Sequence, residues 1–236
     1  FSLAIVPLVA HKSKKGTSDE VPYIQLTYRA SLLFGLAASL GLVLVMPYAN
    51  TLLFKTDALS PVLMLYVLQI IWLSIILTFT SILQGYGKLK VPTYFLLGAL
   101  TLKIAGNLLF IPLFGILGVA VASNIGLCIC ALLLMYYLKK LKGIQLATGN
   151  FYRKLFLASM SMVVVVVLVA VLLNSVTDFS SVRMQAVVYS AVLILLGAFT
   201  FITVAAKLQI LSVREWFIIP FGRKMATYQL WLNKKK

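Results

Sequence analysis

Apolar runs of about twenty residues recur along the chain, separated by short segments that carry the prolines, many glycines and most charges. Six runs are long enough to cross a hydrocarbon core of roughly 30 Å as helices rising about 1.5 Å per residue. They are Tyr23–Met46, Leu59–Leu83, Thr93–Ile111, Ile116–Leu138, Leu155–Leu173 and Met184–Ala206. Phe1–Ala10 reads as the end of a further span. Membrane strands would alternate apolar and polar residues over about ten positions, whereas Met162–Leu173 is apolar throughout. The β-branched run Val163–Val167 suits a buried strand in water. In lipid, a helix satisfies its own backbone whatever the propensity. The predicted fold class is all-α, a polytopic helical membrane protein with six full spans and the end of a seventh.

Proline and glycine punctuate the connections. His11–Pro22 and Pro47–Ala58 read as polar loops, and Gln84–Pro92 as a tight basic turn. In that turn Gly85 and Gly87 act as breakers, and Pro92 suits a first helical turn. Pro112–Gly115 turns the chain again, and Lys139–Lys154 and Asn174–Arg183 complete the set.

Composition removes the soluble classes. The chain of 236 residues is 62% hydrophobic and 11% charged, against roughly 45–50% and ~25% in soluble domains. Disorder requires low hydrophobicity. A net charge of +16 suggests nucleic acid at first, but such binding gathers basic residues on a solvated face, and here they sit between apolar runs. Cys128 and Cys130 lie inside such a run, which favours packing over a disulfide or metal site. No basic segment precedes the first apolar stretch, as a signal peptide requires. The chain reads as the later part of a longer protein.

Placed on the spans, the charges assign sides. Alternate connections hold Lys12, Lys14 and Lys15; Lys88 and Lys90; Lys139, Lys140, Lys142, Arg153 and Lys154; and Lys207, Arg214, Arg223, Lys224, Lys234, Lys235 and Lys236. The opposite connections hold only Lys55 and Arg183. Positive charge is retained in the cytoplasm, so the first loop and the C-terminus are predicted inside. In the tail, Phe217, Phe221, Met225, Tyr228 and Leu232 recur at helical steps among basic residues. This spacing predicts an amphipathic helix at the inner interface, held partly by anionic lipids. A frayed basic tail that only fixes topology is the alternative.

An ionisable residue within a span costs about 2.5–3.5 kcal/mol on insertion scales and marks a candidate site. Lys103 lies near the middle of its span, with Gly106 and Asn107 about one turn further on. The pair suits a polar path for an anionic substrate; its structural alternative is hydrogen bonding and close packing between helices. Arg29 is nearer a span end, where a long side chain can snorkel to the interface. Gln69, Ser123 and Asn124 read as interhelical hydrogen bonders. His11 is the only histidine, and all five acids (Asp19, Glu20, Asp57, Asp178, Glu215) fall in loops or the tail. No catalytic constellation, metal-ligand set or phosphate-binding loop is visible. Neither an enzyme nor a cofactor is expected.

The stretch from Gln84 to Gly126 resembles the C-terminal lobe of the multidrug/oligosaccharidyl-lipid/polysaccharide exporter superfamily. The resemblance is carried by Gly85, Gly87, Lys88 and Pro92, then Asn107, Ile111, Pro112, Phe114, Gly115 and Gly118, then Ala122 and Ser123. The opening, with Ala4, Pro7 and Ala10 before a basic loop and then TYRASLLFGLAASLGLVLV, is similar to MurJ-type lipid II flippases and their stage V sporulation protein B relatives. Ala37 stands where those proteins have a proline. The resemblance covers nearly the whole chain, and the two spans after the motif favour the fourteen-span branches.

The resemblance implies two six-helix lobes around a central cavity that opens alternately to either side. It implies a flippase moving an undecaprenyl-pyrophosphate-linked cell-wall precursor, lipid II or another lipid-linked oligosaccharide, from inner to outer leaflet of a bacterial cell membrane. The family's cationic cavity positions have no counterpart in these residues, and Arg29 matches a different arginine. The expected organisation is 1–138 as transporter core, 139–206 as two additional spans and 207–236 as a basic cytoplasmic tail. Expected partners are the lipid-linked saccharide, anionic lipids and an N-terminal lobe of the same transporter, with no nucleic acid. Two alternatives stand beside this. A drug/cation antiporter of the same superfamily would want a carboxylate within the membrane, and a non-transporting scaffold of wall synthesis would have no water-filled cavity beside Lys103.

Overall fold

The structure, a computed structural model, describes residues 20–176, 182–218 and 222–233. Phe1–Ala10, the first basic loop and Lys234–Lys236 lie outside the described residues. Among the described residues there are nine helices and no strand: α1 Val21–Phe54, α2 Ser60–Val67, α3 Gln69–Gly85, α4 Lys90–Phe114, α5 Ile116–Lys142, α6 Gly149–Val176, α7 Val182–Lys207, α8 Val213–Ile218 and α9 Gly222–Asn233. Six segments have the length and apolarity to cross a membrane, α2 and α3 together forming one of them. The fold is an all-α membrane bundle, as the apolar runs predict.

Three boundaries differ from the sequence reading, each for a physical reason. Pro47 does not open a loop; α1 runs through it to Phe54. A proline costs a helix one donor and a steric adjustment, which a membrane span tolerates when neighbours compensate. The 34 residues of α1 extend about 51 Å, well beyond the hydrocarbon core. Pro112 likewise lies inside α4, and the turn is made by Gly115 alone, whose φ of 59° favours glycine. The second span is broken at Leu68. There Asn124 of α5 donates to the Leu65 carbonyl at 2.7 Å, so the polar residue satisfies backbone that the break frees.

α1 is central, packing against α2, α3, α6 and α7, while α5 packs against α2, α3 and α4. Phe79, Ile82 and Leu83 of α3 are wholly buried, and Tyr28 of α1 stacks on Phe79 at 5.6 Å. Since lipid is as apolar as a side chain, close packing and hydrogen bonds hold such helices together. Small residues supply the approach: Gly35 lies against Ser74, and a Cβ at Gly41 or Gly197 would come 3.0–3.1 Å from Met162 or Val166.

The two ends of the bundle differ in chemistry. At one end, Glu20 at the start of α1 meets Tyr86 after α3 and Lys142 at the end of α5. Gln25 reaches the Gln145 carbonyl, and Lys154 that of Gln209. At the other end, Asn50 bonds Ser60 at 3.1 Å, and Tyr189 donates to the Leu173 carbonyl. The described connections rich in lysine and arginine therefore share one end, while Lys55 and Arg183 belong to the other.

Candidate functional site

α4 and α5 form an antiparallel hairpin whose contact is built from small residues. Gly118, Ala122 and Gly126 recur every four positions on α5, the spacing that lets membrane helices approach closely. Gly118 abuts the Phe110 backbone, and Gly106 meets Ala122, where a Cβ would stand 3.0 Å from its neighbour. A Cβ on Gly126 would lie 3.0 Å from the Ala99 carbonyl oxygen and 3.7 Å from the Lys103 Cβ. Of the motif positions, Gly118 and Gly115 thus make the hairpin. Gly87 turns the chain before it with φ 73°, Gly85 closes α3, and Pro92 lies buried in the first turn of α4.

Lys103 leaves α4 from this contact row, about 20 Å along a helix of about 37 Å. It lines a groove of about 420 Å³ with Ser123 of α5 and the apolar Leu96, Ala99, Leu100 and Leu127. No hydrogen bond or ion pair engages its ammonium among the described residues. Ser123 is 1% exposed, and its Oγ has no hydrogen-bond partner. Asn107, one turn from Lys103, is outside the groove lining, and its Oδ1 is buried without a partner. A cation and two unused polar oxygens thus lie along one stretch of one hairpin. The residue the sequence reading undervalued is Ser123; it follows Ala122 directly and stands three residues before Gly126, at the edge of the contact row.

Arg29 is placed elsewhere. Its guanidinium donates to Glu215 Oε1 at 3.3 Å and lies 5.8 Å from the Phe151 ring centroid. Glu215 is held in turn by Ser212, whose backbone N–H donates to Oε2 at 2.6 Å and whose Oγ accepts from the Glu215 N–H. This reciprocal Ser-x-x-Glu arrangement caps α8 and was legible at Ser212–Glu215.

A second polar knot forms at the start of α1. Glu20 is almost fully buried and accepts from Tyr86 and Lys142, each at 3.3 Å, while Lys142 lies 4.7 Å from the Tyr86 ring centroid. Burial works against the Glu20 carboxylate, but its own backbone N–H, Lys142 and Tyr86 outweigh it and hold the carboxyl below its ordinary value. Burial, and then the Glu20 charge, push the Tyr86 phenol up.

An apolar groove of about 450 Å³ runs between α1, α6 and α7 and is bounded by Trp216 of α8 and Met225 of α9. Met225 therefore faces the protein, whereas the sequence spacing places it on a lipid-facing stripe. Gln229 and Asn233 explain the rotation: they donate inward to the Leu211 and Ala206 carbonyls at 3.2 and 3.4 Å.

Six apolar segments of membrane-crossing length define a polytopic helical membrane protein, and a small-residue hairpin carries its mid-depth lysine. The chain belongs to the lipid II flippase MurJ family, whose family model matches residues 1–212. It is also similar to the uncharacterized membrane protein YabM of Bacillus subtilis (strain 168), with 25% identity over 197 residues. That alignment covers 84% of this chain and 37% of YabM, so the chain spans less than half the length of the curated relative it matches.

Proposed function

We propose that the chain is the C-terminal lobe, with two additional spans, of a flippase in a bacterial cytoplasmic membrane. Together with an N-terminal lobe it moves an undecaprenyl-pyrophosphate-linked cell-wall precursor, lipid II first among them, from the inner to the outer leaflet by alternating access. The observation that carries this reading is the MurJ family match across residues 1–212. The basic end of the bundle, with the C-terminus, faces the cytoplasm, in line with the retention of positive charge on that side.

In this reading Lys103 is a charge on the substrate path. An ammonium with no partner at mid-depth attracts an anionic head group more strongly than it would in water, and Ser123 lines the same groove. Positioning the path against lipid depends on the glycine contacts that set the width of the hairpin.

The test is translocation of fluorescent lipid II by the full-length protein in vesicles, comparing Lys103→Ala and Lys103→Arg at matched incorporation. We expect at least a tenfold loss with alanine and substantial recovery with arginine. Unchanged transport by Lys103→Ala removes the lysine from the path. Absence of lipid II movement by the unaltered protein overturns the substrate.

A further inference from the structure

The family match ends at residue 212, so α8 and α9 form a segment that the family assignment leaves unexplained. Their side chains are distributed the wrong way round for a helix pair docked on a protein in water. The protein-facing side of α9 carries Gly222, Ala226 and the polar Gln229, all buried. The exposed side carries Leu230 and Trp231, and on α8 Phe217 and Ile218, each at least half exposed. Arg214, Arg223 and Lys224 are exposed among them. The one acid of this segment, Glu215, is occupied by Arg29, which leaves the outward face with basic charge only. The docking itself is specific: the Arg29–Glu215 pair, the Gln229 and Asn233 bonds, and Trp216 buried against the bundle fix the segment at the end of α7.

We infer that α8 and α9 form an interfacial foot that seats Phe217, Ile218, Leu230 and Trp231 in the lipid boundary of an anionic leaflet. Arg214, Arg223 and Lys224 meet the lipid phosphates there. Large apolar and aromatic side chains belong at the head-group level, and each lysine or arginine near an anionic surface adds to the attraction. An acidic protein would satisfy the same charges but would leave the aromatic side chains without a hydrocarbon phase. The Arg29–Glu215 pair fixes the height of the foot relative to α1, so the leaflet and the bundle are held in register. The inference is independent of which lipid-linked substrate is carried.

The experiment places a nitroxide on the full-length, otherwise cysteine-free protein at Phe217→Cys, Trp231→Cys or, as the aqueous reference, Thr148→Cys. Collision with oxygen and with a water-soluble nickel chelate is then measured in vesicles with and without about one-third phosphatidylglycerol. With the anionic lipid, positions 217 and 231 are expected to favour oxygen and position 148 nickel. That preference should fall several-fold in pure phosphatidylcholine, or when Arg214, Arg223 and Lys224 are all changed to Gln in anionic vesicles. Free access of nickel to 217 and 231 in anionic vesicles overturns the foot, as does protection from both reagents, which would signify a protein partner. An oxygen preference indifferent to anionic lipid and to the three substitutions overturns the charge recognition.

Discussion

The basic end of the bundle and the middle of the α4–α5 hairpin use charge in opposite ways. At the basic end the buried or half-buried ions are matched: Arg29 with Glu215, Glu20 with Lys142. Those pairs join segments distant in sequence and lie where water and lipid head groups are near. In the hairpin, Lys103 has no such partner among the described residues, and Asn107 and Ser123 hold unused oxygens. The difference teaches where architecture ends. A paired ion at a helix end is explained by the fold it ties together; an unpaired one at mid-depth, costly by about 2.5–3.5 kcal/mol, is not explained by contacts among the described residues, and the proposed substrate path would account for it.

The largest predicted effect breaks that contrast directly. Lys103→Met keeps the stem length and removes the charge, so it should recover most of the insertion cost, up to about 3 kcal/mol, while lowering transport. Thermal unfolding in detergent alongside lipid II translocation checks both signs. A variant that is both less stable and fully active would assign the lysine to the architecture.

Next in size is the hairpin contact. At Gly118→Ala the new methyl meets the Phe110 backbone, which cannot rotate away, so overpacking should cost about 1–3 kcal/mol. Gly98→Ala lies on the same helix pair with nothing within 4 Å and should be neutral or stabilising by up to about 1 kcal/mol. Melting temperatures of the two variants separate packing from helix propensity.

The paired end should be softer. A double-mutant cycle with Arg29→Gln and Glu215→Gln should give a coupling of about 1 kcal/mol, because both side chains remain about one-fifth exposed, 21% and 22%. Transport should follow stability here. A coupling near zero with lost transport would bring Arg29 back to the substrate path.

The six spans were legible because lipid demands a continuous apolar helix and tolerates almost any propensity within it. The same tolerance hid the helix ends. Pro47 and Pro112 read as breakers, as they are in water, yet both are carried inside helices. Lys103 was legible because one charge in an apolar run stands out. Ser123 was less so: its place in one groove with Lys103 is set by the Gly118, Ala122 and Gly126 contacts and not by any local pattern. The tail was half legible. Its amphipathic spacing announced a helix, but the inward face was chosen by Gln229 and Asn233 finding free carbonyls at the end of α7, a tertiary fact that apolar counting does not include.

The smallest effect tests whether Glu20 belongs with the paired ions. Lys142 is 36% exposed, so solvent screens its attraction, and Glu20→Gln should cost under about 1 kcal/mol at neutral pH. The sign of its pH dependence is the sharper observable. A carboxyl held below its ordinary value of 4.5 by Lys142 and its hydrogen bonds stabilises the fold wherever the unfolded chain's carboxyl is also ionised, and loses that contribution only as pH falls through the lowered folded value. The stability difference between the unaltered protein and Glu20→Gln should therefore be flat from pH 8 to about 5 and shrink below it. If the difference is already gone near pH 6, burial has won over Lys142 and Tyr86, and the carboxyl sits above its ordinary value. Glu20 would then share with Lys103 the condition of an ionisable group that its surroundings do not fully stabilise.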